Sequence, residues 1–196
     1  MVENSSYRSP LSGLLGKKTK MKFQAVPLTG AYVIELEPHE DHRGFFARAF
    51  CQAEFEKQSL PTEIKQSNLS CNHCKGTLRG LHYQVKPHCE AKLIRVIKGA
   101  VFDVIVDLRS DSSTYCQWFG IELKASEYKA VFVPEGMAHG FLTLADETLI
   151  FYEMFESYHP ECARGVRYND PAFGIRWPAE IKIISEKDQR WPDFGQ

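Results

Sequence analysis

The sequence predicts an all-β fold, either a sandwich or a barrel. From about residue 30, many short extended segments follow one another, separated by breaks that contain Gly, Pro or Asp. Helical periodicity is scarce, and the chain contains no G-x-G-x-x-G motif, P-loop motif or internal repeat. These observations exclude a Rossmann or P-loop nucleotide-binding fold. The predicted strands cover residues 31–37, 92–98, 99–108, 116–123, 129–133, 140–144 and 147–155.

The strand that follows the Lys98-Gly99 break shows the clearest alternation. One of its faces is wholly apolar and the other is mixed, with Phe102, Val104, Val106 and Leu108 set against Val101, Asp103, Ile105 and Asp107. Two short helices are predicted beside the strands, one over residues 52–59, stopped by Pro61, and one within residues 178–190. A few short helices are therefore expected to flank the strands.

The length and composition indicate one globular domain. The chain has 196 residues, of which 43% are hydrophobic. We predict a single domain over residues 23–196, preceded by a loosely ordered extension over residues 1–22 that does not match a secretory signal. The 24 basic residues nearly balance the 25 acidic ones, and no apolar run approaches the roughly 18 residues that span a bilayer. We therefore expect neither a nucleic acid nor a membrane as partner.

The cysteine pattern indicates reduced thiols in a cytoplasmic protein. Six cysteines occur in a chain that is long enough to fold without disulfides. Cys71-Asn-His-Cys74 resembles half of a zinc knuckle, but no second C-x-x-C or H-x-x-x-H pair accompanies it. Ordinary thiols are therefore expected here, and no metal site is predicted.

Two histidines are candidates for chemistry because each lies next to glycines, where backbone can approach a ligand closely. His82 lies in R-G-L-H-Y-Q, and His139 lies in P-E-G-M-A-H-G. A histidine is more often a satisfied structural group than a catalyst, so the residues alone leave both interpretations open.

The P-x-G-x-x-H segment that ends at His139 resembles the second motif of the cupin superfamily, whose members are small jelly-roll barrels. Many cupins bind a metal through an H-x-H pair and a glutamate, and this chain has no H-x-H pair. The resemblance therefore implies a cupin-type jelly-roll barrel that uses no metal or other cofactor.

Over roughly residues 24–194, the chain also resembles the dTDP-4-dehydrorhamnose 3,5-epimerase family. Nine segments match in order and spacing: D-x-R-G-F-F (41–46), Q-S-N (66–68), G-T-L-R-G-L-H-Y-Q (76–84), K-L-I-R-V-I-K-G-A-V-F-D-V-I-V-D-L-R (92–109), P-E-G-M-A-H-G-F (134–141), F-Y (151–152), R-G-V-R-Y-N-D-P (164–171), G-I-R-W-P (174–178) and S-E-K-D (185–188). The resemblance implies an epimerase that inverts C3 and C5 of a nucleotide-linked 4-keto-6-deoxy sugar, converting dTDP-4-dehydro-6-deoxyglucose to dTDP-4-dehydrorhamnose.

The same resemblance implies the catalytic roles. His82 would be the base, Asp188 the carboxylate that orients its ring, Lys92 the cation that stabilises the enolate, and Tyr152 the acid on the opposite face of the sugar. Without the family pattern, the favoured interpretation of Asp188 is an exposed carboxylate in a polar tail. Lys92 would then be an ordinary solvated lysine at the start of a strand, and Tyr152 a core residue.

Binding roles are implied in the same way. The expected contacts to the pyrophosphate are Arg43, Arg79 and Lys187, those to the nucleotide are Gln66, Asn68 and Tyr158, and that to the sugar is His139. The family is also known for homodimers in which an N-terminal strand crosses to the partner barrel, which would place Arg43 in the neighbouring subunit's site.

Two departures from the family pattern fall on binding positions. Arg48 and Ala163 stand where the family usually has glutamates. Arg48 is therefore a candidate contact that changes which nucleotide is preferred. The choice between CDP and dTDP as the nucleotide stays open. An epimerase that inverts C3 or C5 alone is the alternative within the family, and a non-catalytic or metal-dependent cupin is the alternative outside it.

Overall fold

The computed structural model describes residues 20–195, so most of the extension predicted over residues 1–22 lies outside the described residues. Within this range, most of the regular secondary structure is β-strand, and there are two short α-helices. The strands are β1 (Met21–Ala25), β2 (Tyr32–Leu36), β3 (His39–Asp41), β4 (Gly44–Phe46), β5 (Gln66–Asn72), β6 (Thr77–Gln84), β7 (Lys92–Lys98), β8 (Ala100–Asp107), β9 (Trp118–Lys124), β10 (Lys129–Val133), β11 (Met137–Thr143), β12 (Thr148–Met154), β13 (Ala163–Gly165) and β14 (Ile183–Ile184). The helices are α1 (Gln52–Lys57) and α2 (Glu186–Gln189).

Two sheets pack face to face, and a separate hairpin extends from them. The first sheet has the order β1-β2-β10-β7-β12-β5, and the second has the order β13-β6-β11-β8-β9, with β14 added parallel to β6. Strands β3 and β4 form the hairpin. The main core lies between the sheets, where Ile94 and Val131 of the first sheet meet Ile105 and Phe141 of the second. This arrangement confirms the predicted all-β jelly-roll class.

Part of the outer face of each sheet is also covered by other segments of the chain. Phe55 of α1 is fully buried against the outside of the first sheet, together with Leu93 and Phe132. The segment after β13 covers the outside of the second sheet through Val166 and Phe173. Because apolar burial stabilises by about 25 cal/mol per Å², these covers hold both sheets in place around the core.

The predicted strands with strong apolar alternation are all present, to within a few residues at their ends. Strands β5 and β6, which carry much of the site described below, were not predicted. The sequence of β5 is Q-S-N-L-S-C-N, and β6 is interrupted by Gly80. Both strands carry polar groups on a face that lines a cavity, and this removes the alternation by which strands are predicted.

Candidate active site

A cavity of about 710 Å³ opens between the two sheets. Its walls come from β5, β7 and β12 of the first sheet and from β6, β11 and β13 of the second, and α2 closes one side. Ten of the twelve residues predicted to bind or transform a ligand line it: Gln66, Asn68, Arg79, His82, Lys92, His139, Tyr152, Tyr158, Lys187 and Asp188. Such a volume is typical of small-molecule sites.

His82 and Asp188 form the closest polar pair in the cavity. Nε2 of His82 lies 2.6 Å from Oδ1 of Asp188, although the two residues are 106 positions apart. The imidazole is 44% exposed to the cavity, whereas the carboxylate is only 6% exposed. An ionised carboxylate only accepts hydrogen bonds, so Nε2 carries the proton and Nδ1 keeps its lone pair. The pair therefore presents a free basic nitrogen.

Contacts with His82 and Gly80 hold this carboxylate in its ionised form. Ser185 caps the helix, since its Oγ accepts from the backbone N–H of Asp188 at 3.1 Å. The backbone N–H of Gly80 donates to Oδ2 of Asp188 at 3.3 Å. Burial alone would raise the pKa of Asp188, but the hydrogen bond and charge of His82 and the bond from Gly80 lower that pKa below its usual value.

The backbone around His82 explains why glycines flank the site. A Cβ atom on Gly80 would lie 2.6 Å from Cα of Gly140, and one on Gly140 would lie 2.7 Å from the carbonyl oxygen of Arg79. Gly80 also has a φ of +113°, which side chains rarely tolerate. The register between β6 and β11 shifts at this point, and His82 stands directly opposite His139. Close approach of the two strands thus places both histidines at one end of the cavity.

Lys92 enters the cavity from β7 and is almost fully buried. Its Nζ lies 2.7 Å from Oε1 of Glu90 and donates to the carbonyl oxygen of His82 at 3.1 Å. Both side chains of the ion pair are 7% exposed. A buried pair of this kind keeps a fixed cation beside the histidine without leaving an uncompensated charge.

Opposite His82, the facing sheet contributes Tyr152 from β12. The ring of Tyr152 lies edge-on to that of His139, with 6.1 Å between the ring centroids. Nε2 of His139 lies 2.8 Å from Oδ2 of buried Asp103, whose Oδ1 has no hydrogen-bond partner. Burial and the Asp103 carboxylate raise the pKa of Tyr152 well above its usual value, against an opposing effect from Arg79. The phenol is therefore held protonated.

The polar residues of β5 and its neighbours line the far part of the cavity. Gln66 and Asn68 are hydrogen-bonded to each other at 3.0 Å, and Oε1 of Gln66 accepts from the backbone N–H of Tyr158 at 3.1 Å. Nε of Arg79 donates to Oδ1 of Asn72 at 2.7 Å. The side chain of Lys187 lies over the ring of Trp191, 5.4 Å from its centroid.

Arg43 and Arg48 lie outside the cavity of their own chain. Arg43, on the β3–β4 hairpin, is paired with Asp41 through Nη2 and Oδ2 at 2.5 Å. Nη1 of Arg48 lies 2.7 Å from Oε1 of Glu54, at the start of α1. The structure thus gives Arg48 an acidic partner within its own chain and does not bring it to the site in which it was predicted.

Sequence reasoning missed several residues that line the cavity or hold its side chains. Glu90 lines the cavity and holds Lys92, and Arg164 adds a cation from β13. Asp103 does not line the cavity but holds His139, which does. Asp103 could have been identified from the sequence, because it stands as a carboxylate on the mixed face of a strongly alternating strand.

Among residues 20–195, two groups of potential metal ligands occur, and neither includes a residue that lines this cavity.

Comparisons with known proteins identify a family for this chain. A family model described as dTDP-4-dehydrorhamnose 3,5-epimerase matches residues 25–196. A protein of that name from Methanothermobacter thermautotrophicus is 45% identical over 176 residues, which cover 88% of this chain and 94% of the relative. A dTDP-4-dehydrorhamnose 3-epimerase from Streptomyces niveus is 35% identical over 170 residues, covering 86% of this chain and 82% of the relative.

A solved structure of an epimerase of the same name has a closely similar fold. The crystal structure of dTDP-4-dehydrorhamnose 3,5-epimerase from Bacillus anthracis, with TDP and PPi bound, superposes with a TM-score of 0.85 at 39% identity. The match covers 89% of this chain and 99% of that one. In the part of this chain that the structure describes, no helix has the length and apolar character that crossing a membrane requires.

Proposed function

The chain belongs to the dTDP-4-dehydrorhamnose 3,5-epimerase family, and from that premise we propose that it inverts C3 and C5 of dTDP-4-dehydro-6-deoxyglucose to form dTDP-4-dehydrorhamnose. The observation that carries the proposal is the 2.6 Å contact between His82 and Asp188 inside a cavity that also holds cations. A partly exposed imidazole backed by a buried carboxylate is the arrangement that proton abstraction requires.

In the proposed first step, Nδ1 of His82 removes a proton from the carbon next to the 4-keto group. The electrons of the C–H bond form the carbon–carbon double bond of an enolate, and negative charge moves onto the keto oxygen. The imidazolium that results is stabilised by Asp188, and the ammonium of Lys92 stabilises the oxyanion. The fixed position of Lys92 beside His82 supports this assignment, because a preorganised charge costs no reorganisation during the reaction.

In the second step, Tyr152 delivers a proton to the same carbon from the opposite face, which inverts it. Two observations support this role. Tyr152 projects from the sheet that faces His82, and its raised pKa keeps the phenol protonated until it is needed. The imidazolium and the tyrosinate then exchange protons with solvent before the second carbon reacts.

The remaining residues are proposed to hold the nucleotide. Arg79 and Lys187, with Arg164, carry the positive charge that a pyrophosphate requires. Gln66 and Asn68 offer amide groups to the nucleotide, and Tyr158 is 56% exposed, so its ring is available to stack on a base. His139, held by Asp103, would donate to or accept from a sugar hydroxyl through its other nitrogen.

We also propose a homodimer, within which Arg43 reaches the cavity of the second subunit. Its hairpin is separate from the two sheets and exposes Phe45 and Phe46, which are 47% and 66% accessible. Exposed aromatic side chains beside a cation are typical of an interface. The cytoplasmic location predicted from the sequence remains part of this proposal.

An exchange experiment in D2O tests the reaction against its alternatives. The protein is incubated with dTDP- and with CDP-4-keto-6-deoxyglucose, and deuterium at each sugar carbon is followed by NMR. We expect label at both C3 and C5 of the dTDP sugar. Label at one carbon alone identifies an enzyme that inverts a single centre, as the name of the Streptomyces niveus relative states for that protein. No exchange with either sugar contradicts catalysis and supports a binding protein.

Tyr152→Phe is expected to separate the two halves of the reaction. The variant keeps the ring but removes the proton donor, so inversion should fall by about a hundredfold, the lower end of the acid–base range. Loss of deuterium from a substrate labelled at C3 or C5 should fall much less, because His82 acts first. Tyr83→Phe, on the cavity wall of the other sheet, is the matched control. Equal losses of exchange and inversion in Tyr152→Phe would contradict the acid assignment.

A further inference from the structure

Three side chains with metal-binding atoms converge at the end of β5, away from the cavity. They are Cys71, His73 and Glu147, whose ligand atoms all lie within 4.8 Å of one another. All three are exposed, so an ion can reach them from solvent. We propose that this corner is a zinc-binding site, with Sγ of Cys71, a ring nitrogen of His73 and a carboxylate oxygen of Glu147 as the ligands.

The backbone fixes the relative positions of the two segments that supply these ligands. The N–H of Glu147 donates to the carbonyl oxygen of His73 at 3.0 Å. The buried side chain of Asn72 donates to the carbonyl oxygen of Thr148 at 3.3 Å, and the N–H of Lys75 donates to Oδ1 of Asp146 at 2.7 Å. The turn before β12 is thereby attached to the end of β5, and the ligands are brought together before any ion binds.

The donor set and its spacing suit Zn²⁺ better than Mg²⁺ or Ca²⁺. Zinc accepts a thiolate, an imidazole and a carboxylate in tetrahedral geometry, whereas the hard cations prefer oxygen ligands alone. Nδ1 of His73 lies 3.0 Å from Oε1 of Glu147. This separation approaches the roughly 3.4 Å edge of a tetrahedron with bonds of about 2.1 Å. Binding would replace the His73–Glu147 hydrogen bond and release the thiol proton of Cys71 to solvent, with water as the fourth ligand.

The structure changes the interpretation of the Cys71-Asn-His-Cys74 segment. No second pair of ligands was found for it in the sequence, and the fold supplies Glu147 from 74 residues further along the chain. The second group of potential ligands, His88, Glu156 and His159, is less suitable. Its two imidazole rings are stacked 3.4 Å apart with an 8° angle between their planes. In-plane lone pairs of parallel rings cannot both point at one ion.

Zinc titration of the metal-free, reduced protein tests the proposal. Competition against a chromophoric chelator should show one tight site per chain. Cys71→Ser, His73→Ala and Glu147→Gln should each weaken that site by about tenfold or more, the least that loss of a supporting residue costs a metal site. Zinc should also raise the thermal midpoint of the unsubstituted protein and leave that of Cys71→Ser unchanged. Neither readout depends on epimerase activity.

Cobalt and two control variants identify the ligands. Co²⁺ bound by a thiolate gives a near-ultraviolet charge-transfer band, which should be absent in Cys71→Ser. Cys74→Ser removes the neighbouring exposed thiol and His88→Gln disrupts the second group, and both should keep the band and the affinity. Unchanged zinc affinity in Cys71→Ser, or an equal loss in Cys74→Ser or His88→Gln, would overturn the proposal.

Discussion

His82→Ala is expected to lower the rate of C–H exchange by about 10²–10⁴, the range that a positioned general base contributes. The substitution removes the nitrogen proposed to take the proton, while Lys92, Tyr152 and the nucleotide-binding residues remain. The binding constant for dTDP should change little, because His82 is assigned to the sugar end of the cavity. Deuterium incorporation into the dTDP sugar, measured under saturating substrate, checks the rate.

Chemical rescue distinguishes a lost base from a damaged fold. The half-exposed ring leaves a space open to the cavity when it is removed, and added imidazole should restore part of the exchange. The recovered rate should rise with pH as imidazole loses its proton. Exchange within a factor of ten of the unsubstituted enzyme would remove His82 from the mechanism.

Asp188→Asn is expected to be nearly as damaging as His82→Ala, by about 10²–10⁴ in exchange rate. In the structure the N–H of Gly80 donates to one oxygen of Asp188 and Nε2 of His82 contacts the other. An asparagine satisfies Gly80 only by turning its oxygen towards that N–H, so its amide NH₂ then faces Nε2. Nε2 becomes an acceptor, the ring proton moves to Nδ1, and the proposed base no longer has a lone pair to offer.

Asp188→Ala is the matched control for this argument. It removes the orienting carboxylate but does not force the proton of the His82 ring onto Nδ1. A fraction of the rings therefore keeps the lone pair on Nδ1, and the loss of activity should be smaller than in Asp188→Asn. The ¹⁵N chemical shifts of the His82 ring report directly which nitrogen is protonated. An Asn variant with near-normal exchange, or with the proton still on Nε2, would contradict the assignment of Nδ1 as the base.

Most of the residues predicted for the site could be brought together from the sequence because they lie in motifs matched to a family. Ten of the twelve predicted residues line one cavity, and the short helices and alternating strands were located correctly. Arg48 does not line the cavity of its own chain, because it pairs with Glu54 at the start of α1, and its role as a nucleotide contact stays a prediction. Sequence reasoning missed Glu90, whose importance depends on its burial beside Lys92.

The sequence by itself determined the fold class, since alternation of apolar residues and the placement of Gly and Pro act over a few neighbouring positions. Its motifs, matched to a family, also predicted which residues carry chemistry. Only the tertiary structure decided which of them are in contact: His82 with Asp188, His139 with Asp103, and Cys71 and His73 with Glu147. Each of these contacts joins residues that are between 36 and 106 positions apart in the chain. No local sequence pattern predicts such contacts, because they depend on strand register and on the packing of the two sheets.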